Sequence, residues 1–188
     1  KHTESHLADA HGVMGLLKGL NPVLTADLLH VLRSMGHGDV LAVVDCNFPA
    51  VECASKTTTG KLVVLAGVDA PDALDAITSV LPIDAFVDEP LHHMSPSTGI
   101  ELPIAGKVVH DASKAAVAQH SAIEFMPLER FAFYDAARTA FAVVQTSERR
   151  PYGCFLLKKG VVGPDGKDLI PTAPAGDKKA GSKRARTS

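Results

Sequence analysis

The chain has 188 residues, 46% of them hydrophobic, and a formal net charge of −2 at pH 7. That length supports one domain with a substantial core, and the charge argues against broad binding to nucleic acid or membrane surfaces. No apolar run approaches the roughly 20 residues that span a bilayer. The three cysteines, Cys46, Cys53 and Cys154, are an odd number without C-x-x-C spacing. They are expected to be reduced thiols in a reducing, cytoplasmic compartment.

Residues 1–13 are polar and histidine-rich, with no apolar centre. They read as an extension or cloning remnant ahead of Met14, not as a signal peptide. Asn21-Pro22 opens a turn, and Thr25 is expected to cap a helix over Ala26–Met35. Leu24 and Leu29 would form its staple, Leu28, Leu32 and Met35 its apolar face, and His30 would lie on its flank. Gly36 is expected to end that helix in a left-handed conformation, with Gly38 turning the chain beside His37.

Val40–Val44 is short, valine-rich and uninterrupted, as an interior strand is. Val51–Gly60 is expected to be a threonine-rich loop and Leu62–Ala66 a second strand. A helix starts at Asp69-Ala70-Pro71, with Leu74, Ile77 and Leu81 inward. Ile83–Val87 and Leu91–Met94 read as strands, Ser95–Gly106 as a loop and Val108–Gln119 as a helix. A strand over Ile123–Met126 and a helix from about Leu128 to Ala140 follow. Phe141–Gln145 and Cys154–Lys158 read as strands joined by the loop SERRPYG. From 163 to 188 the chain is rich in Gly, Pro, Ala and Lys, a disordered basic tail. Strands alternating with helices make residues 14–162 a single α/β domain, a central β-sheet flanked by helices.

Two tempting motifs carry little. Thr57–Lys61 departs from a phosphate-binding loop at Ser55, where glycine is needed, and at Leu62, where Ser or Thr is needed. His92 and His93 could approach Cys46 or Asp88, but neighbours on a strand face opposite ways, so no metal site is expected. The stretch Ser34–Pro49 is more informative. It sets His37 and Asp39 before one rigid strand and Asp45 after it. On spacing alone, His37 would only cap a turn and Asp45 only begin a loop.

Several blocks then occur in order: LKG at 17–19, MGHGD at 35–39, DCNFP at 45–49, ERFAFYDAA at 129–137, FAVV at 141–144 and YGCFLLKKGVV from Tyr152. Together they resemble the L-fucose mutarotase branch of the D-ribose pyranase/L-fucose mutarotase family, from about Met14 to Val162. Asn47-Phe48-Pro49 is similar to the fucose branch, whereas the ribose branch usually has Gly-Leu-Pro. The resemblance implies interconversion of the α and β anomers of L-fucose or a related monosaccharide, without a cofactor. His37 matches the catalytic histidine; Asp45, Arg130, Tyr152, Gly153 and Cys154 match sugar-binding positions. It also implies a ring-shaped homo-oligomer with sites near subunit contacts. The alternatives are a ribose-type pyranase and a non-catalytic sugar-binding or regulatory protein.

Two departures bear on the substrate. Cys154 stands where the family has asparagine, and Val64-Leu65-Ala66-Gly67 where it has Arg-Ala-Asp-Gly. Position 154 is expected to be polar and accessible, so that Cys154→Asn would raise activity on fucose at little cost in stability. Residue by residue the chemistry is consistent. An unperturbed imidazole, of pKa near about 6.5, can give or take a proton at neutral pH. Asp45 can accept from hydroxyls, Arg130 can donate a planar fork, and Tyr152 can stack or donate. Without the resemblance, Arg130 would read as an ion-pair partner of Glu129 or Asp135, and Tyr152 as a half-buried loop aromatic.

Overall fold

A computed structural model of the chain describes residues 15–171; the expected extension at 1–13 and the tail from 172 to 188 lie outside the described residues. Six strands form one mixed sheet: β1 (Val40–Val44), β2 (Leu62–Leu65), β3 (Leu91–Ser95), β4 (Met126–Glu129), β5 (Ala142–Thr146) and β6 (Phe155–Lys158). Their order is β2-β5-β1-β6-β3-β4, with β5 parallel to β1 and β6 antiparallel to it.

Alternation along the strands sends side chains to both faces, and both are covered. Leu41, Val43, Phe155 and Leu157 pack under α1 (Ala26–Ser34), α3 (Ala70–Thr78) and α4 (Ile104–Val117). Ala42, Val143 and Leu156 pack under α2 (Ala50–Ala54) and α5 (Arg130–Arg138). The expected central sheet flanked by helices is therefore present. β1 lies in its interior, and Leu41–Val44 are fully buried.

Local chemistry sets the ends of these elements. The Thr25 hydroxyl accepts from Leu28 N at 3.2 Å, capping α1 as expected. At the other end Lys159 Nζ donates to Leu32 O (3.0 Å) and Met35 O (2.6 Å), so a cation satisfies the terminal carbonyls. Met35 closes the helix in an extended conformation, and the left-handed residue is Gly38 (φ 87°), not Gly36.

Other expectations are corrected. The loop at 51–60 begins with the short helix α2, and α4 begins at Ile104, inside the expected Ser95–Gly106 loop. In Ile83–Val87 only Ile83 makes a bridge, to Lys159; the chain turns at Asp84, whose carboxylate accepts from Phe86 N at 3.0 Å. The strand expected at Ile123–Met126 is β4, three residues later, and α5 starts at Arg130 rather than near Leu128. The first part of the expected tail, 163–171, forms a turn, with Gly163 N donating to Lys167 O and Leu169 N to Val161 O.

Candidate functional site

The C-terminal end of β1 opens into a pocket of about 250 Å³. Asp45 leaves the strand there, and its Oδ1 accepts from Asn47 N at 2.9 Å, folding the turn back on itself. Arg130 and Tyr134 reach the pocket from successive turns of α5, Met94 from β3, and Phe48 and Cys154 close its floor. Phe48 is fixed by rings on α5, 5.9 Å from Phe133 and 5.2 Å from Tyr134, centroid to centroid. The loop before β6 supplies Pro151 and Tyr152. Gly153 lies behind them, where a Cβ would come within 2.7 Å of Glu148 Cγ and 3.2 Å of Arg150 O.

The electrostatics fit a binding site. Asp45 is only 5% exposed, and burial pushes its carboxyl pKa up, partly offset by the Cys154 thiol and by the backbone N–H groups of Asn47 and Phe48. Arg130 makes no ion pair among the described residues. The Glu129 carboxylate instead caps α5, accepting from Phe131 N at 2.7 Å, and Asp135 pairs with Arg138 at 3.1 Å. The Arg130 guanidinium lies 4.6 Å over the Phe131 ring, and its Nε is buried without a hydrogen-bond partner. An unpartnered buried donor facing a buried acceptor across a small pocket is costly in the empty protein and suited to a polyhydroxylated ligand.

Cys154 is not the accessible position expected from the sequence. It is 1% exposed, its Sγ accepts from Asp45 N at 3.4 Å, and burial raises its thiol pKa well above the ordinary value. Its contact is with Asp45 more than with the open pocket. Cys154→Asn would place a stronger donor against that carboxylate, but in a site packed among core residues. The expected result is no gain in L-fucose affinity, because the amide would occupy the Asp45 carboxylate that sugar hydroxyls need, with a melting temperature lowered by about 2–4 °C for each 1 kcal/mol of strain. Isothermal titration and calorimetry check both.

His37 stands apart. Five strand residues separate its turn from Asp45, a distance of about 16 Å along β1, and it does not line the pocket. Its turn is held by Gly38 N donating to Lys159 O at 2.8 Å and by Gly36 N donating to Asp39 Oδ2 at 2.7 Å. His37 Nε2 lies 3.2 Å from Asp84 Oδ1; the imidazole side chain is 51% exposed and the carboxylate 2%. A carboxylate accepts, so Nε2 carries a proton and donates it to Asp84, which fixes the orientation of the ring. The structure thus brings Asp45, Arg130, Tyr152 and Cys154 together, and leaves His37 at the opposite end of the same strand. The sequence reading missed Asp84 and Tyr134.

The histidines of β3 also part ways. His92 faces Glu89 at 3.5 Å, whereas His93 turns inward against His110, ring centroids 4.2 Å apart. Among the described residues no three His, Cys, Asp or Glu side chains converge as metal ligands would. Burial, then the nearby His110, lowers the His93 pKa to about 4. The unfolded chain takes this proton near about pH 6.5, so stability is complete above that pH and is lost as pH falls toward 4. At pH 5 the cost is about 2 kcal/mol. His93 Nδ1 is buried without a partner, so His93→Leu should raise the melting temperature and flatten its decline between pH 6.5 and 5. Thermal melts across that range check it.

Residues 18–162 match the model of the RbsD / FucU transport protein family. The fucose mutarotase of Danio rerio is 40% identical over 158 residues, spanning 81% of this chain and 98% of its own. The L-fucose mutarotase of Glaesserella parasuis is 39% identical over 78% of this chain and 96% of its own. The crystal structure of the fucose mutarotase of Streptococcus pneumoniae in complex with L-fucose superposes with a TM-score of 0.69. It is 33% identical over 78% of this chain and all of that one. With the match covering β1 through β6, both ends of the central strand and the loop before the last, this chain belongs to the RbsD/FucU family.

Proposed function

We propose that the chain is a cofactor-independent mutarotase, an isomerase that interconverts the anomers of L-fucose or a closely related reducing monosaccharide. The observation that carries this reading is the small pocket in which the buried Asp45 carboxylate and the unpartnered Arg130 guanidinium converge with the rings of Tyr134 and Tyr152. Carboxylate and guanidinium together accept from and donate to adjacent hydroxyls, and aromatic rings cover the apolar face of a sugar. Similarity to proteins named for fucose mutarotation supports the substrate class.

The reaction opens and recloses the sugar ring. A base takes the proton of the anomeric hydroxyl, a proton reaches the ring oxygen, and the C–O bond to that oxygen breaks. The freed aldehyde rotates about its carbon–carbon bond, and the same oxygen attacks its other face, giving up its proton as the new anomeric oxygen takes one. An imidazole can serve as either proton carrier at neutral pH. Asp45 and Arg130 then hold the remaining hydroxyls so that only the aldehyde end turns.

His37 serves this chemistry only from a second copy of the chain, because in its own copy it lies at the far end of β1. The reading therefore includes a homo-oligomer in which the His37 turn of one copy closes the Asp45 pocket of another. The half-exposed imidazole, braced by buried Asp84 and edge-on to Phe86 at 5.8 Å, is a surface of the right chemistry for that contact. No described helix is long and apolar enough to cross a membrane; a cytoplasmic setting is part of the proposal, resting on the unpaired cysteines.

Saturation-transfer NMR across a panel of reducing sugars tests the reading. Exchange between L-fucose anomers above the uncatalysed rate is expected. Exchange confined to D-ribose would move the chain to the pyranase activity, and binding without exchange would make it a sugar-binding protein.

A further inference from the structure

One helix face bears on the pocket from behind. α4 presses on the backbone of the loop before β6 at three successive points. A Cβ on Gly106 would meet Pro151 O at 3.2 Å, and one on Gly153 would meet Val109 Cγ2 at 3.5 Å. His110 Nε2 lies 2.9 Å from Tyr152 O. A carbonyl only accepts, so Nε2–H donates. Tyr152 is the one non-glycine residue with positive φ among the described residues, at 65°, a conformation that L side chains occupy only when their surroundings hold them there.

The donor that holds Tyr152 is expensive to keep. His110 is 3% exposed and packs against His93 with the rings tilted by 49°, and burial lowers its pKa. Beside it Ser113, fully buried, and His93 Nδ1 have no hydrogen-bond partner. An apolar side chain at 110 would cost the core less, so the hydrogen bond to Tyr152 is the gain that sets this histidine apart from ordinary packing.

We propose that His110 is a positioning residue for the pocket: its Nε2–H clamps the Tyr152 carbonyl, holds that residue left-handed, and so aims the Tyr152 ring at the bound sugar. The role presupposes the mutarotase reading of the pocket, since it acts on substrate only through Tyr152. It leaves proton transfer untouched, because neither Asp45 nor His37 contacts His110.

The test compares His110→Leu, which fills the space without a donor, with His110→Gln, whose amide N–H can occupy the Nε2 position. L-fucose titration, anomer-exchange kinetics and a crystal structure of each variant are the readouts. His110→Leu should move Tyr152 to negative φ and raise Kd and KM about tenfold, the worth of one buried hydrogen bond, with kcat near wild type. His110→Gln should restore both the Tyr152 conformation and the affinity. Wild-type affinity with an unchanged Tyr152 in the Leu variant overturns the proposal, as does an equal loss in the Gln variant. If wild-type protein neither binds nor exchanges any reducing sugar, the mutarotase reading falls and the positioning role falls with it. The Tyr152 conformation in the Leu variant would still show whether His110 holds the loop. Should the Leu variant fail to fold, His110→Asn, whose shorter amide falls short of the Tyr152 carbonyl, takes its place: a loss of about tenfold there with affinity retained in the Gln variant supports the clamp, and equal affinity in the two overturns it.

Discussion

His37→Ala is expected to lower the rate of L-fucose anomer exchange at least about 10²-fold, the ordinary contribution of a positioned acid or base. The variant should fold. Half of the imidazole is in solvent, and removing it exposes Asp84 Oδ1 to water rather than opening a core cavity. Asp84 also keeps its hydrogen bond from Phe86 N at 3.0 Å, so the turn it organises survives. The companion change Asp84→Asn separates two roles. An amide oxygen at the Oδ1 position still accepts from His37 Nε2, so the tautomer and ring orientation are retained and the rate should fall far less than in His37→Ala. Exchange by His37→Ala at the wild-type rate would remove His37 from the mechanism.

The parts of this fold legible in the sequence were those whose local signal and tertiary role agree. Val40–Val44 and Phe141–Val144 are apolar runs, and a strand buried on both faces has no other pattern to show. Thr25 and Asp69 cap helices with their own side chains, so the signal and its cause lie within a few residues. The misses have the opposite character. Helix α2, AVECA, has five residues, too few for a helical period, and is fixed by burying Ala50, Cys53 and Ala54 against the sheet. β4 contains Pro127 and no alternation; pairing with β3 at the edge of the sheet makes it a strand.

The site divides in the same way. Asp45, Arg130, Tyr152 and Cys154 came from a resemblance, since no spacing rule joins residues so distant in the chain. Tyr134 was within reach, because it lies four positions after Arg130 on one helix, and such residues share a face. Asp84 was not, because an aspartate after an isoleucine at the start of an apolar run gives no sign that it will end buried beneath a histidine from another turn. The distance between His37 and Asp45 could have been read directly. A strand of five residues cannot bring its two ends together, and that simple length is the strongest reason to expect a site shared between copies.

Asp45→Asn tests that sharing and should have the second largest effect. The amide is nearly isosteric and its oxygen can still accept from Asn47 N, so the turn is preserved. What goes is the charge. Hydrogen bonds to a charged group are worth about 1.5–3 kcal/mol against about 1 for neutral ones, so sugar affinity should fall roughly tenfold or more. Stability should move the other way. Burial raises the Asp45 pKa, so the ionised carboxylate destabilises the fold at neutral pH, and that penalty eases as pH falls and the group takes its proton. Asp45→Asn is neutral throughout, so its melting temperature at pH 7 should equal or exceed that of the wild type. A lower melting temperature with unchanged sugar affinity would make Asp45 a structural residue instead. Co-expression with His37→Ala then decides where the two groups meet. If each site takes His37 from one copy and Asp45 from another, random assembly restores about a quarter of the sites to full wild-type composition. The mixed protein should then exchange L-fucose well above either variant alone. Activity no greater than the average of the two would mean that His37 and Asp45 do not share a site across copies.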